Sequence, residues 1–190
     1  MEENHIQKNA QRQEAIAARK DLDPEIRKKF SQVISEQLIA EQAFAKARTI
    51  LSYQAFGEEA DPQQIDADAI KAGKRVAYPL CYEKGIMAAA IPTAEDGWEE
   101  GYYGIKTPVE SKSVILNPLE IDLVIVPCVA FEGSKRMRIG WGAGYYDRYL
   151  PQCKNAVTIA IGFEAQHIKD LACDPWDIPL DVIITEAQRY

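Results

Sequence analysis

Apolar residues near the N-terminus recur at helical spacing and predict a pair of helices, 7–42. Residues 7–20 are rich in alanine and long polar side chains, which favour a helix that faces solvent along much of its length. Asp23 and Pro24 then supply an N-cap and a first-turn proline for a second helix, which we expect to end near Gln42. One stripe of this helix carries its apolar side chains, at Ile26, Phe30, Val33, Ile34 and Leu38.

Beyond the helical pair, the pattern changes to short β-type runs. The runs at 49–54 and 75–80 flank a helix that Asp61-Pro62 opens and Gly73 closes. A strand, a helix and a strand at this spacing form a βαβ unit, in which the two strands pair in parallel. The other predicted elements are strands at 121–126, 157–163 and 182–185 and a helix at 164–171. The chain therefore predicts a three-layer α/β/α fold with a mostly parallel central sheet, Rossmann-like, on which the helical pair packs.

Residues 93–118 lack a regular pattern and predict an irregular loop. Gly97, Gly101 and Gly104 interrupt it. Three aromatic residues crowd this stretch, Trp98, Tyr102 and Tyr103. Such a cluster either lines a site for a flat ligand or anchors the loop on the core, and the sequence favours neither.

Composition limits the class of protein. The chain has 190 residues, with 22 Lys and Arg against 29 Asp and Glu, so its formal net charge is −7. That length suits one domain, 1–190, and the acidic balance disfavours a nucleic-acid binder, because phosphate contacts need a concentrated basic surface. No apolar run approaches the roughly 20 residues that span a bilayer. We expect a cytoplasmic protein with no nucleic-acid or membrane partner, as a monomer or weak homo-oligomer.

The cysteines predict neither a zinc site nor disulfide bonds. Cys81, Cys128, Cys153 and Cys173 include no Cys-x-x-Cys pair, and the chain has only two histidines. Free thiols in a reducing compartment fit this pattern better.

A loop with alternating glycines carries the strongest chemical signal, at Gly140, Gly142 and Gly144. Glycine permits positive φ angles and close approach, and a loop that enters a helix near Tyr145 directs unpaired N–H groups at one point. Such a point favours an anion, most often phosphate, and Arg136 and Arg138 on the incoming side could add charge-assisted hydrogen bonds. The alternative is a tight turn required only for packing.

The glycine spacing differs from that of several common sites. A dinucleotide fingerprint requires Gly-x-Gly-x-x-Gly directly after a strand, and a P-loop requires Gly-Lys-Ser/Thr. Neither pattern occurs here, and the chain has no Gly-x-Ser-x-Gly nucleophile motif. Standard dehydrogenases and serine hydrolases are therefore disfavoured.

The segment Arg138-Ile139-Gly140-x-Gly142-x-Gly144-Tyr145-Tyr146-Asp147-Arg148 resembles the signature of the 5-formyltetrahydrofolate cyclo-ligase family, the methenyltetrahydrofolate synthetases. The resemblance extends over nearly the whole chain. Further matching segments occur in the family's order, at Lys8-x-x-x-Arg12, Arg19-Lys20-x-Leu22-x-Pro24-Glu25, Phe56-Gly57-Glu58-Glu59, 121–127 and Asp181-Val182.

The resemblance implies an ATP- and magnesium-dependent conversion of 5-formyltetrahydrofolate into 5,10-methenyltetrahydrofolate, with release of ADP and phosphate. In this family the formyl oxygen is held to attack the γ-phosphate, giving an iminium phosphate that N10 of the folate closes upon. Phosphoryl transfer of this kind needs positioning and charge neutralisation more than a protein nucleophile. The sequence offers cations, backbone amides and carboxylates for those tasks.

The resemblance also implies residue roles. Lys8 and Arg138 would act in catalysis. The nucleotide would contact Lys8, Arg12, Arg138, Ile139, Gly140, Trp141, Gly142, Ala143, Gly144, Tyr145 and Tyr146. The folate would contact Arg12, Gln54, Glu59 and Tyr145, and Mg²⁺ would be held by Asp147 and Asp181.

Each role has a plainer alternative. Lys8 and Arg12 could be solvated charges on a helix, and Asp147 could serve only the helix dipole. Asp181 could simply end a strand. The two histidines have no ligand or catalytic partner at a suitable spacing and are expected at the surface. The chain departs from the usual family pattern at Ala143, Cys128 and Lys106. As whole functions, the alternatives are a non-catalytic nucleotide- or folate-binding paralogue and a sugar-phosphate isomerase or acyl-transferase on a similar scaffold.

Overall fold

The computed structural model describes residues 2–101 and 104–190. Tyr102 and Tyr103, two of the three aromatic residues expected to crowd the 93–118 loop, lie outside the described residues. The helices are α1 Glu2–Lys20, α2 Pro24–Ile39, α3 Gln42–Lys46, α4 Gln63–Lys71 and α5 Tyr145–Tyr149. The strands are β1 Thr49–Leu51, β2 Arg75–Cys81, β3 Met87–Pro92, β4 Trp98–Glu100, β5 Lys106–Pro108, β6 Ser113–Leu116, β7 Leu123–Pro127, β8 Ala130–Glu132, β9 Met137–Ile139, β10 Val157–Ile161 and β11 Val182–Ile184.

A seven-stranded sheet in the order β11-β10-β7-β1-β2-β3-β6 forms the centre of the fold. The five strands from β11 to β2 pair in parallel, which confirms the mostly parallel sheet expected from the βαβ pattern. The chain runs from β1 outward to β2 and later returns to place β7 on the other side of β1. The crevice between β1 and β7 is therefore a topological switch point, where open α/β sheets bind ligands.

Strands β3 and β6 extend the sheet with antiparallel pairing that the sequence pattern did not predict. A tight turn with positive φ at Lys84 and Gly85 reverses the chain between β2 and β3. Strand β3 is rich in alanine, which gives no β-type signal. The 93–118 stretch is thus not irregular throughout, because it contains β4, β5 and β6. Trp98 packs edge-on against Tyr78, with 4.9 Å between ring centres, so this aromatic anchors the segment on the core.

Successive residues of the central strands direct their side chains into two apolar clusters, one on each face of the sheet. Ile50 and Val76 pack with α2, α3 and α4, whereas their neighbours Leu51 and Ala77 pack on the other face with α5 and the turn after it. Burial on both faces explains why the central strands appear in the sequence as continuous apolar runs.

The N-terminal helices follow the sequence prediction closely. Asp23 caps α2, since its carboxylate accepts a hydrogen bond from the Glu25 N–H at 2.8 Å. The helix ends at Ile39, and α3 follows as a separate short element. Helix α1 packs against β8 and the turn at 164–166, which brings the N-terminus to the glycine loop. None of the described helices is both long and apolar enough to span a membrane.

The predicted helix at 164–171 is wrong, because only the 3₁₀ turn Glu164–Gln166 forms there. The buried Gln166 amide donates to the Cys128 and Val129 carbonyls, each at 2.8 Å, and draws the chain onto β8. His167 then stacks on Phe131, with ring centres 5.2 Å apart, but it stays exposed, which confirms the expectation that it is a surface residue.

Candidate functional site

The parallel strands place several chain segments at one edge of the sheet, where their carboxyl ends meet. Tyr53 and Gln54 follow β1, Cys81 ends β2, and Pro127 ends β7. All four line a cavity of about 630 Å³. Its wall also carries several aromatic residues, Tyr53, Phe56, Trp141, Tyr145 and Tyr146, and we call it the aromatic cavity.

The glycine loop connects β9 to α5 beside this cavity. Gly142 and Gly144 have φ angles of +104° and +70°, which side-chain-bearing residues rarely adopt. Gly144 is the N-cap residue of α5, and a Cβ there would lie 2.9 Å from the Arg148 guanidinium. Arg148 itself donates to the Ala143 carbonyl at 2.8 Å, which holds the loop against the helix.

A second cavity, of about 500 Å³, lies on the other side of the glycine loop. Helix α1 contributes His5, Lys8 and Arg12 to it. Arg12 Nε donates to the Gly140 carbonyl at 2.8 Å, across 128 positions of the chain. The cations of α1 thus stand beside the loop, and we call this space the cationic cavity.

Lys8 is held by two carboxylates from the segment before β11. Its Nζ lies 2.6 Å from Asp174 Oδ2 and 2.5 Å from Asp177 Oδ2. Burial of the ammonium lowers its pKa, but the hydrogen bonds and charges of the two aspartates outweigh burial, so the pKa of Lys8 lies above its ordinary value. Lys8 is therefore a fixed cation and not a solvated charge on an exposed helix.

Arg138 lies where the two cavities meet. Its side chain is 4% exposed, packs 5.4 Å from the centre of the Tyr146 ring and lies 3.3 Å from Asp147 Oδ1. Four residues line both cavities, namely Arg138, Gly140, Gly144 and Asp147. We call these four residues the seam, because ligands in the two cavities would face each other across them.

Glu59 forms part of the wall of the aromatic cavity. Its carboxylate accepts hydrogen bonds from the Phe56 N–H at 3.0 Å and from the Trp141 indole at 2.9 Å. Burial raises the pKa of Glu59, while these two bonds and the charge of Arg19 oppose the rise. This half-buried carboxylate can accept a further hydrogen bond from a flat heterocycle.

The two cavities divide the expected site residues differently from the way in which the resemblance assigned them to nucleotide and folate. Four residues expected at the nucleotide, Trp141, Ala143, Tyr145 and Tyr146, line the aromatic cavity, as do Gln54 and Glu59. Arg12, expected at both ligands, lines only the cationic cavity, together with Lys8, Ile139 and Gly142.

Asp181 does not join the site. It lies at the amino ends of β10 and β11, where its Oδ2 accepts bonds from the Thr158 N–H and hydroxyl, both at 2.8 Å. Parallel strands put this edge opposite the one that bears Asp147, so the two carboxylates cannot share a metal ion. The expectation that Asp147 and Asp181 together hold Mg²⁺ is therefore wrong.

Arg136 also lies away from the site. It turns the β8–β9 hairpin with a φ of +53°, and its Nε donates to the Leu180 carbonyl at 3.0 Å. Because β9 runs back from that turn to the glycine loop, only Arg138 reaches the loop. The expected pair of incoming arginines is thus reduced to one.

Sequence reasoning missed the Asp174-Pro-Trp176-Asp177 segment, whose named residues all line the cationic cavity. Two acids that flank a proline and a tryptophan just before a strand were the available signal. Asp147 and Asp177 supply carboxylates on two sides of one cavity, which suits Mg²⁺ bound through one or two carboxylates and phosphate oxygens. Among the described residues, no cluster of three or more histidine, cysteine or acidic side chains could hold a metal by itself.

Two departures from the usual family pattern have different settings. Lys106 lines the aromatic cavity. Cys128 is buried, and burial raises its pKa to about 12, so its thiol is unreactive at neutral pH.

Fold and site together define an α/β protein with two adjoining cavities. One can hold an anionic ligand, and the other, which aromatic residues line, can hold a flat ligand. A family model described as the 5-formyltetrahydrofolate cyclo-ligase family matches residues 4–186. The chain belongs to this family.

Relatives and solved structures agree over most of the chain. An Escherichia coli protein named 5-formyltetrahydrofolate cyclo-ligase is 26% identical over 90% of this chain and 96% of its own length. The solved 5,10-methenyltetrahydrofolate synthetase of Aquifex aeolicus is 28% identical, with a TM-score of 0.82, and the match covers 96% of this chain and 91% of that one. The corresponding Mycoplasma pneumoniae structure is 25% identical, with a TM-score of 0.77 over 94% and 98% of the two chains.

Proposed function

We propose that this protein is an ATP-dependent ligase that converts 5-formyltetrahydrofolate into 5,10-methenyltetrahydrofolate, with release of ADP and phosphate. Membership of the family over residues 4–186 supports the activity. The observation that carries the proposal is the seam, where Arg138, Gly140, Gly144 and Asp147 line both cavities. A phosphoryl donor on one side would there meet an acceptor oxygen on the other.

The aromatic cavity suits the folate. Aromatic walls favour a flat pterin, and the Glu59 carboxylate can accept hydrogen bonds from the N–H groups of its edge. Gln54 and Tyr145 line the same space and can orient the substrate. The proposed reaction requires the formyl group to lie at the Arg138 side of this cavity.

The cationic cavity suits the nucleotide phosphates. Arg12 and Lys8 supply fixed positive charge, and the glycine loop permits close approach of its backbone to phosphate oxygens. Asp147 and Asp177 would hold Mg²⁺, which neutralises phosphate charge when it is bound.

In the proposed reaction, the formyl oxygen attacks the γ-phosphorus, and the bond from that phosphorus to the oxygen of ADP breaks. N10 of the folate then attacks the formyl carbon and loses its proton, and phosphate leaves with the former formyl oxygen. Arg138 lies between the cavities and stabilises the negative charge on the transferring group. Lys8 keeps its proton through the reaction, because its two carboxylate partners hold its pKa high.

The four thiols of this protein are all free, which fits the reducing cytoplasm in which we place the reaction. We assign small molecules as its partners and a monomer or weak homo-oligomer as its state.

A coupled assay tests the proposed function. Purified protein with Mg-ATP and 5-formyltetrahydrofolate should form the methenyl product, followed by its ultraviolet absorbance, with one ADP released per turnover. Omission of ATP is the control. Binding of both ligands without product or ADP would instead establish the non-catalytic paralogue.

A further inference from the structure

Trp176 presents an exposed aromatic face to the cationic cavity. Trp176 is 60% exposed, although aromatic side chains supply much of the apolar area that proteins bury. It lines the same cavity as Lys8, Arg12 and Gly142, which stand at the phosphate end. The cavity thus combines a polar, cationic part with one large aromatic side chain.

The turn that carries Trp176 is built into the fold. The Asp174 N–H donates to Asp177 Oδ2 at 2.7 Å, and the Asp177 N–H donates to the Asp174 carbonyl at 3.0 Å. Lys8 bridges both aspartates, so the cation of the phosphate end also fixes the turn that presents the indole.

Gln11 anchors the chain just before this turn. Its buried amide accepts from the Ala172 N–H at 2.8 Å and donates to the Asp170 carbonyl at 2.7 Å. Together with the Lys8 bridges, these bonds tie the segment to α1 at several points. A pre-ordered aromatic platform loses little conformational freedom when a ligand covers it.

We propose that Trp176 is the stacking platform for the base of the nucleotide, so that the cationic cavity takes a nucleoside di- or triphosphate with its phosphates at the glycine loop and its base on the indole. The proposal rests on the proposed function, since it places the base of the same nucleotide. Stacking on an aromatic face accepts any base, because every base has a π-face. The platform therefore contributes affinity for the base and leaves recognition of the phosphates to Lys8, Arg12 and the loop.

Separate titrations of ADP and of inorganic tripolyphosphate, both with Mg²⁺, test the platform. Trp176→Ala should weaken ADP binding about tenfold and leave tripolyphosphate binding unchanged, since only ADP has a base to stack. Trp176→Phe, which keeps an aromatic ring, should retain most of the ADP affinity. Leu119→Ala removes a similarly exposed apolar side chain, one that lines neither cavity, and should change neither affinity.

Four results would overturn the platform. Unchanged ADP affinity in Trp176→Ala would show that the base lies elsewhere. Equal losses for ADP and tripolyphosphate would show that the indole only supports the turn, and a changed oligomeric state of the variant would assign the exposed face to a second copy of the chain. Wild-type protein that binds neither probe would refute the nucleotide site itself, and the platform with it.

Discussion

At the scale of single residues, Arg19 is unusual because it carries a charge in the interior. Its side chain is 1% exposed, and its Nε and Nη1 atoms have no hydrogen-bond partner among the described residues. An unpaired buried charge is costly. The guanidinium lies 5.8 Å from the centre of the Trp141 ring, and its charge favours the ionised form of Glu59. Arg19 therefore supports the wall of the aromatic cavity from behind.

Replacement of Arg19 by methionine removes this charge and keeps most of the side-chain volume. Without it, the pKa of Glu59 should rise further above its ordinary value. As the pH falls, Arg19→Met should therefore lose affinity for 5-formyltetrahydrofolate at a higher pH than the wild type does. Each unit of pKa shift changes the affinity about tenfold on the acid side. Titration calorimetry of 5-formyltetrahydrofolate binding to both proteins, between about pH 5 and pH 8, measures this shift in the pH profile.

Glu59→Gln is the control for this prediction, because it cannot ionise at position 59. Its folate affinity should be reduced and should no longer follow that titration. If Arg19→Met and the wild type show the same pH profile, Arg19 does not act through Glu59.

Asp66 makes the stability depend on pH. It is 7% exposed, accepts a hydrogen bond from Tyr78 at 2.9 Å, and burial raises its pKa from 3.8 to about 6. Between about pH 4 and pH 6, the folded state therefore still holds a proton that the unfolded state has already released. In that window the stability contributed by Asp66 falls as the pH rises.

Asp66→Asn should remove this dependence. At about pH 8 the variant should exceed the wild type by about 3 kcal/mol in free energy of unfolding, and the two should converge near pH 4. Urea unfolding at both pH values measures the difference. Asp68→Asn on the same helix is the matched control, and a similar gain in that variant would assign the effect to net charge.

At the scale of elements, the glycine loop shows where a local signal was sufficient. Alternating glycines before a helical run predicted a loop that enters a helix, and Gly142 and Gly144 do adopt positive φ. The helix itself has only five residues, so its terminus is a minor part of the site and the cations of α1 matter more. The strands β3 to β6 were not predicted, because alanine-rich and short edge segments depend on their neighbours for pairing.

Gly144→Ala should damage both stability and nucleotide binding. A φ of +70° costs alanine about 1 kcal/mol, and the new Cβ would press on the Arg148 guanidinium at 2.9 Å. Gly73→Ala is a matched control with a φ of +76° and open space around its Cβ. Chemical denaturation should show a cost of about 1 kcal/mol or more for both variants, but only Gly144→Ala should weaken ADP binding. Equal ADP affinities would separate the loop from the nucleotide.

At the scale of the whole molecule, topology determines which acids can act together. Asp147 and Asp177 line one cavity, whereas Asp181 binds Thr158 at the opposite edge of the sheet. Asp177 and Asp181 are only four positions apart in the sequence. These near neighbours in the chain therefore have different roles, because Asp177 lines the cationic cavity whereas Asp181 lies at the amino end of β11, away from the site.

Asp147→Asn and Asp181→Asn separate these roles. Asp147→Asn should lower turnover at least tenfold at limiting Mg²⁺ and change unfolding little, since it weakens the proposed metal site. Asp181→Asn should cost about 1 kcal/mol of stability through its bonds to Thr158 and leave the Mg²⁺ dependence unchanged. Initial rates across a magnesium series, with thermal unfolding of each variant, give both readouts. The opposite pattern would restore Asp181 to the metal site.

The sequence by itself determined the features that are local or periodic: the Asp23 cap, the βαβ unit, the glycine loop and the family resemblance. Tertiary structure decided which distant residues meet. It joined Arg12 to Gly140, moved Asp181 and Arg136 away from the site, and brought in Asp174, Trp176 and Asp177. The physical reason is that helix and turn preferences act over a few residues, whereas the two cavities exist only after the sheet has ordered its strands and α1 has packed beside them.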